Sequence, residues 1–165
     1  KDAEAELDSS SKTYTVKLEN DETLSKTYSD YAIKFAQTYA AYMQDDASMS
    51  AVNKYLVSGT DLYESVRTAS THWVTDHSGY AFKNTKAYDF YAYDENTFSC
   101  SVSFTQVLHM TGKDDYTDTF DYTIYFKKSV GKYLVYDMAS NIGQSSGTAV
   151  YFAAPYFFLA IYIIS

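Results

Sequence analysis

The stretch "TFSCSVSFTQVLHM" (97–110) alternates two sets of side chains. Phe98, Cys100, Val102, Phe104, Leu108 and Met110 form an apolar set broken only by Gln106, while Ser99, Ser101, Ser103, Thr105 and His109 form the opposite set. Period two is what a strand shows when one face is buried. The stretch therefore predicts a strand with an oily side and a hydroxyl-rich side, and one amide set among the oils.

Working outward, the same period governs the second half of the chain. "YAFKNTKAYDFYAY" (80–93), "YTDTFDYTIYFKK" (116–128) and "KYLVYDM" (132–138) are rich in aromatic and branched residues, as strands are. The linkers "DEN", "GKDD" and "SVG" have turn chemistry and hairpin length, so an antiparallel meander of four strands follows. In the third strand Phe120, Tyr122, Ile124 and Phe126 share one face with Asp118, and Thr119, Asp121, Thr123 and Tyr125 share the other. Helices are expected to cover the oily faces.

Upstream of residue 80 the period is near 3.6. From Thr23 to Gln44, Leu24, Tyr28, Tyr31, Ala32, Phe35, Tyr39, Tyr42 and Met43 recur at steps of three and four, one stripe of a long amphipathic helix. "NDET" supplies its N-cap candidate and acidic charge at the positive end of the dipole. A short helix carrying Val52, Tyr55 and Leu56 follows, capped by Asp46 or Ser48, and a third runs from about Asp61 to Ser70 with Leu62, Val66 and Ala69 inside and Ser58 or Thr60 as its cap. Three helices precede the sheet.

The 165 residues fit one domain, with a core that needs no covalent staples. A formal net charge of −8 and a pI near 4.7 argue against nucleic-acid and anionic-membrane partners, since no basic stripe exists to release counterions from phosphates. Cys100 stands alone, so it forms no internal disulfide, and on the apolar strand face it reads as a small hydrophobe. Nineteen tyrosines suit sheet faces, pocket walls and contact surfaces alike. The chain opens at Lys1 without a methionine, and "KDAEAELDSSSK" is charged and poor in apolar residues, so residues 1–19 are expected to be a polar tether or, through "YTVKL" (14–18), an edge strand. The expected location is secreted or membrane-anchored, outside a bacterial membrane.

After Asp137 no charged residue occurs. "SNIGQSSGT" reads as a small-polar linker and "AVYFAAPYFFLAIYII" is continuously apolar, with Pro155 in its middle. Three readings stand: a shortened membrane segment, since a span needs about 20 apolar residues, a final strand or arm packed on the sheet, or sequence from a wrong reading frame. Residues 139–165 are thus set apart from a domain expected over 20–138.

One long helix, two short ones and a meander closing on "GKYLVYDM", with Gly131, Lys132, Tyr133 and Val135 in the last hairpin, resemble the nuclear transport factor 2-like (cystatin-like) superfamily over roughly Leu24 to Met138. The resemblance implies an α+β fold in which a curved antiparallel sheet wraps the long helix into a cone whose mouth can be a pocket. It also implies a class of envelope-associated bacterial domains that bind or scaffold, and enzymes such as ketosteroid isomerases, where an Asp base works beside a Tyr and a protonated Asp in an apolar site. In that frame Phe98, Val102 and Phe104 face the long helix. Gln106 either meets water or ligand in the cone or, as buried amides usually do, hydrogen-bonds a helix end or backbone group, the reading favoured here.

The candidate ligand-binding set is Tyr39, Trp73, Phe98, Phe104, Gln106 and Tyr122, with Trp73 equally suited to plugging the core. Asp89, Asp118, Asp121 and Asp137 lie on strands beside Tyr88, Tyr91, Tyr122 and Tyr136, but so many acids and phenols become neighbours by chance, and none aligns with a catalytic position of the family. "STHWVTDHSG" (70–79) holds His72, Trp73, Asp76 and His77; histidines five apart do not share a helix face, and with His109 they read as structural side chains rather than metal ligands. Phosphate-loop, nucleophile-elbow and His-Glu-x-x-His motifs are absent from the sequence. The expectation is a non-catalytic binding or scaffolding domain with a pocket between the long helix and the sheet, without cofactor or metal. Its partner would be a small molecule, a peptide or an envelope protein, with a membrane tether and a homodimer through the hydroxyl-rich sheet face as further expectations. An isomerase- or dehydratase-like enzyme and an interaction module with a filled cone are the alternatives.

Overall fold

A computed structural model describes residues 5–7, 12–14, 22–71 and 76–142. Two short strands, β1 (Ala5–Leu7) and β2 (Lys12–Tyr14), pair antiparallel with each other. Then come α1 (Glu22–Met43), α2 (Met49–Asn53) and α3 (Asp61–Arg67). The sheet follows as β3 (His77–Ala92), β4 (Thr97–Met110), β5 (Tyr116–Ser129) and β6 (Lys132–Ser140), in the order β3-β4-β5-β6 and antiparallel throughout. The α+β architecture and the meander are those expected. Trp73, His72, Asn20 and Asp21 of the "NDET" cap, residues 15–18 of "YTVKL" and the apolar tail lie outside the described residues.

The tyrosine-bearing stripe of α1 is buried as its spacing dictates: Tyr28, Ala32, Phe35, Ala36, Tyr39, Tyr42 and Met43 all lie in the core. Opposite them sit the oily faces of β4 and β5 in register, Phe98 against Phe126, Cys100 against Ile124, Val102 against Tyr122, Phe104 against Phe120 and Gln106 against Asp118. The two short helices start on Ser48, whose Oγ accepts from Ala51 N, and on Thr60, whose Oγ1 accepts from Tyr63 N. Tyr42 Oη donates to Val66 O at 3.0 Å, which fastens α3 to α1.

The sheet curves through bulges. Register shifts fall between Lys83 and Lys86 and between Tyr88 and Tyr91 of β3, where Asn84 and Asp89 adopt left-handed backbone at φ 55° and 51°. A further shift sits where Tyr125 and Phe126 meet Asp137 and Val135, leaving Tyr136 as the extra residue. Each bulge bends its strand and sharpens the twist. The alternating pattern of "YAFKNTKAYDFYAY" does not announce them, because Asn and Asp tolerate left-handed backbone while also fitting an exposed strand position. The free edge of β6 is covered by the segment after α2: Val57 N donates to Val135 O and Val135 N to Tyr55 O.

The sheet domain extends beyond the boundary expected at Met138. Ala139 and Ser140 continue β6 opposite Thr123 and Tyr122, and Asn141 N donates to Asp121 O. Small polar residues there read as a linker, but they pair because β5 offers unpaired backbone beside them. The hydroxyl-rich face is also occupied in this chain. Ser99 and Ser101 are buried, Tyr93 Oη pairs with Ser99 Oγ, and the Tyr93, Tyr125 and Tyr136 rings pack over that face. Beside them Tyr88 Oη donates to Asp121 Oδ1, Asn141 Nδ2 donates to the same oxygen at 3.1 Å, and Thr123 Oγ1 donates to Asn141 Oδ1 at 3.0 Å.

Candidate functional site

The C-terminal turn of α1 is enclosed on all sides; every residue from Tyr39 to Gln44 is buried. A helix end inside a protein must find partners for its last carbonyls. Here Asp45 takes left-handed backbone at φ 67°, Asp46 N donates to Ala41 O and Asp45 N to Tyr42 O, a Schellman closure with Asp where glycine is usual. Ala40 O is left over, and Gln106 Nε2 from β4 reaches it at 3.2 Å. That explains the amide in the oily face: it closes a buried helix end, the reading favoured from sequence. His77 Nε2 against Asp46 Oδ2 at 2.8 Å fastens the same corner to the start of β3.

Next to this corner a partly open cavity of about 170 Å³ lies between α1 and the inner face of β5. Tyr39 from α1, Gln44 just past its end, Gln106 from β4, Asp118 and Tyr122 from β5, and Ser140 from β6 supply its polar groups. Phe120 and Met43 supply apolar wall. The strand register brings these residues together: Gln106 faces Asp118 across the ladder, Asp118 and Tyr122 lie four residues apart on one face, and Tyr122 faces Ser140. The Tyr39 ring meets Phe120 at 6.3 Å and Phe120 meets Tyr122 at 4.3 Å, so three aromatic rings border the space.

Burial sets the electrostatics. The Asp118 carboxyl is pushed above the usual range by desolvation, against the pull of the Thr119 N–H that Oδ1 accepts at 2.8 Å. Tyr122 is pushed up to about 12, chiefly by burial and further by the Asp118 charge, with a Ser140 hydrogen bond acting the other way. Burial, then Tyr122 and Tyr42, hold the Tyr39 phenol well above its ordinary value. Gln44 Oε1 is buried with no hydrogen-bond partner among the described residues, and Gln44 as a whole is 2% exposed. An orphaned buried acceptor of this kind costs about 1–3 kcal/mol unless something meets it.

Of the residues singled out from sequence, Tyr39, Gln106 and Tyr122 line the cavity. Phe104 backs it, stacked on Phe120 at 4.6 Å and 7°. Phe98 belongs to the far end of the core, stacked on Tyr28 at 3.7 Å and on Phe126 at 5.0 Å. Eight residues separate Phe98 from Gln106, about 26 Å along a strand, too far for one small cavity to touch both. Asp118, Gln44 and Ser140 were not singled out as a set. Gln44 sits one helical turn beyond Ala40, and Asp118 opposes Gln106, so the signal was the pairing of "FTQV" with "TDTF".

The other candidates do not gather. Cys100 is fully buried, and burial raises its thiol to about 12, as befits packing. His109 pairs with Asp115 at 3.1 Å in solvent. Asp121 belongs to the opposite sheet face with Tyr88. Among the described residues no group of three or more His, Cys, Asp or Glu is disposed to hold a metal, and no helix is long and apolar enough to cross a membrane.

No family model and no curated protein matches the chain. Among solved structures, an "Ntf2 like protein involved in plasmid conjugation" superposes with a TM-score of 0.49 at 16% identity, covering 87% of this chain and 47% of that one. The chain thus spans less than half the length of that protein. The class that the coordinates themselves define is an α+β domain whose element order, three helices and then a four-stranded antiparallel meander, is the one implied by the nuclear transport factor 2-like resemblance.

Proposed function

We propose that this is a binding domain that holds a small molecule in the cavity between α1 and β5. The observation that carries the reading is the cavity itself, a partly open space on whose wall Tyr39, Gln44, Tyr122 and Asp118 converge. A concave, largely apolar space with a few converging polar groups is the usual form of a small-ligand site. Roughly 170 Å³ suits a compact ligand. A cone filled by side chains, as a pure interaction module would have, would leave no such space. The sequence-based expectation of an extracytoplasmic, tethered domain is carried forward with this reading, supported by the polar composition of residues 1–12.

One observation favours an enzyme as the second reading: an acid raised by burial lies on the same strand face as a phenol in the cavity. Acid–base chemistry would require that pair to reach one substrate atom.

The test is a fragment screen by ligand-observed NMR on the full chain, repeated with Ala40→Ile, which fills the cavity from α1. The binding reading expects hits that compete with one another and vanish in Ala40→Ile while the far-ultraviolet spectrum is retained. Hits indifferent to Ala40→Ile, or none, overturn it. Hits that Tyr122- and Asp118-containing protein converts to new species, with Asp118→Asn silent, favour the enzyme.

A further inference from the structure

The cavity is one-sided in its charge. Of the described residues, Asp118 brings the one carboxyl to its lining; Tyr39, Tyr122 and Ser140 add neutral hydroxyls and Gln44 and Gln106 neutral amides, with one Gln106 N–H given to Ala40 O. Among the described residues no lysine, arginine or histidine lines it. Tyr39, Phe120 and Tyr122 add aromatic rings, whose faces are negative and attract cations. Asp118 uses Oδ1 on its neighbour's N–H, and its second oxygen makes no hydrogen bond among the described residues.

We propose that the ligand of this cavity is a small organic cation, a protonated amine whose charge faces the Asp118 carboxylate and the aromatic rings. The inference rests on the reading that the cavity is a binding site. Placement follows from the backbone. Gln106 ties β4 to Ala40 near the end of α1, and Asp118 stands opposite Gln106 on β5, so the carboxylate belongs to the end of the cavity beside the helix terminus. The alkyl part of the amine would lie against Met43 and Phe120. A cation offsets the desolvation that raises the acid. A neutral ligand would leave that carboxyl uncompensated, and an anion would be repelled by it.

Titration of the 15N-labelled full chain with n-butylammonium chloride, n-butanol and sodium butyrate at fixed ionic strength separates the cases, because the three probes share a chain length and differ in charge. The expected result is a saturable shift of the Gln44 side-chain amide with butylammonium, at an affinity about tenfold or more above butanol, as a charge-assisted hydrogen bond supplies, and no shift with butyrate. Asp118→Asn should remove about that factor from the cation and bring it down to the affinity of butanol. Equal affinity for butylammonium and butanol, or a cation affinity untouched by Asp118→Asn, overturns the cation inference and leaves the binding site standing. Absence of a saturable shift with all three probes overturns both.

Discussion

Gln106 Nε2 stands 3.2 Å from Ala40 O, so a side chain in the middle of the sheet completes the buried end of the long helix. Gln106→Leu keeps the volume and removes the donor, leaving a buried carbonyl unmet. The expected cost is about 1–3 kcal/mol, read as a lower urea midpoint at unchanged slope. Gln106→Glu should cost more, since a carboxylate there would face both a carbonyl and Asp118. A midpoint unmoved in Gln106→Leu would mean that Ala40 O finds another donor.

Asp118 should make the protein lose stability as the solution becomes less acidic. Its folded pKa is raised by burial, so between the unfolded and folded values the native chain holds the proton that the unfolded chain has released. Stability then falls as pH rises through that window, and the contribution is fully present only below the unfolded value. Asp118→Asn should flatten this limb and leave the variant more stable than the parent near neutrality. Denaturation midpoints from pH 3 to pH 8 check it, and a variant with the parent's slope would show the carboxyl to be well solvated.

Much of this was legible beforehand, for a physical reason. Burial on one face imposes period two or 3.6 on long elements, so "TFSCSVSFTQVLHM" and the Tyr28–Tyr42 stripe declared their partners without a structure. The cavity was half legible. Tyr39, Gln106 and Tyr122 carry the signal of a polar tip within an apolar pattern, whereas Asp118 and Gln44 matter only because the register sets Asp118 opposite Gln106 and a Schellman closure buries Gln44. Register and helix-end geometry are tertiary outcomes that a single sequence records weakly. The bulges at Asn84 and Asp89 were hidden likewise, and so was the pairing of Ala139 and Ser140, whose small polar composition resembles a linker.

Cys100 should be inert while the chain is folded. It is fully buried, opposite Ile124 in the core, and its thiol is raised to about 12, so almost no thiolate exists at neutral pH. An aromatic disulfide reagent should label it only through unfolding, with a rate that tracks denaturant. Cys100→Ser should be destabilised by about 1–3 kcal/mol by setting a hydroxyl among apolar groups, and Cys100→Ala less. Rapid labelling of native protein would contradict its place in the core.

The hairpin between β5 and β6 turns on Val130 and Gly131, with φ of 45° and 73°, between the paired residues Ser129 and Lys132. Two positive φ values in a two-residue loop are the mark of a type I′ turn, which favours Asn-Gly. Val130 is 99% exposed, so its β-branched side chain suffers the left-handed backbone and gains no packing in return. Val130→Asn should therefore stabilise the protein by about 1 kcal/mol, roughly 2–4 °C in Tm for a chain of this size. Gly131→Ala should do the opposite, because its backbone is left-handed even though the space around it is open. The two variants together separate backbone strain from side-chain contact: a contact argument expects neither to matter, since nothing touches either site, whereas strain requires shifts of opposite sign.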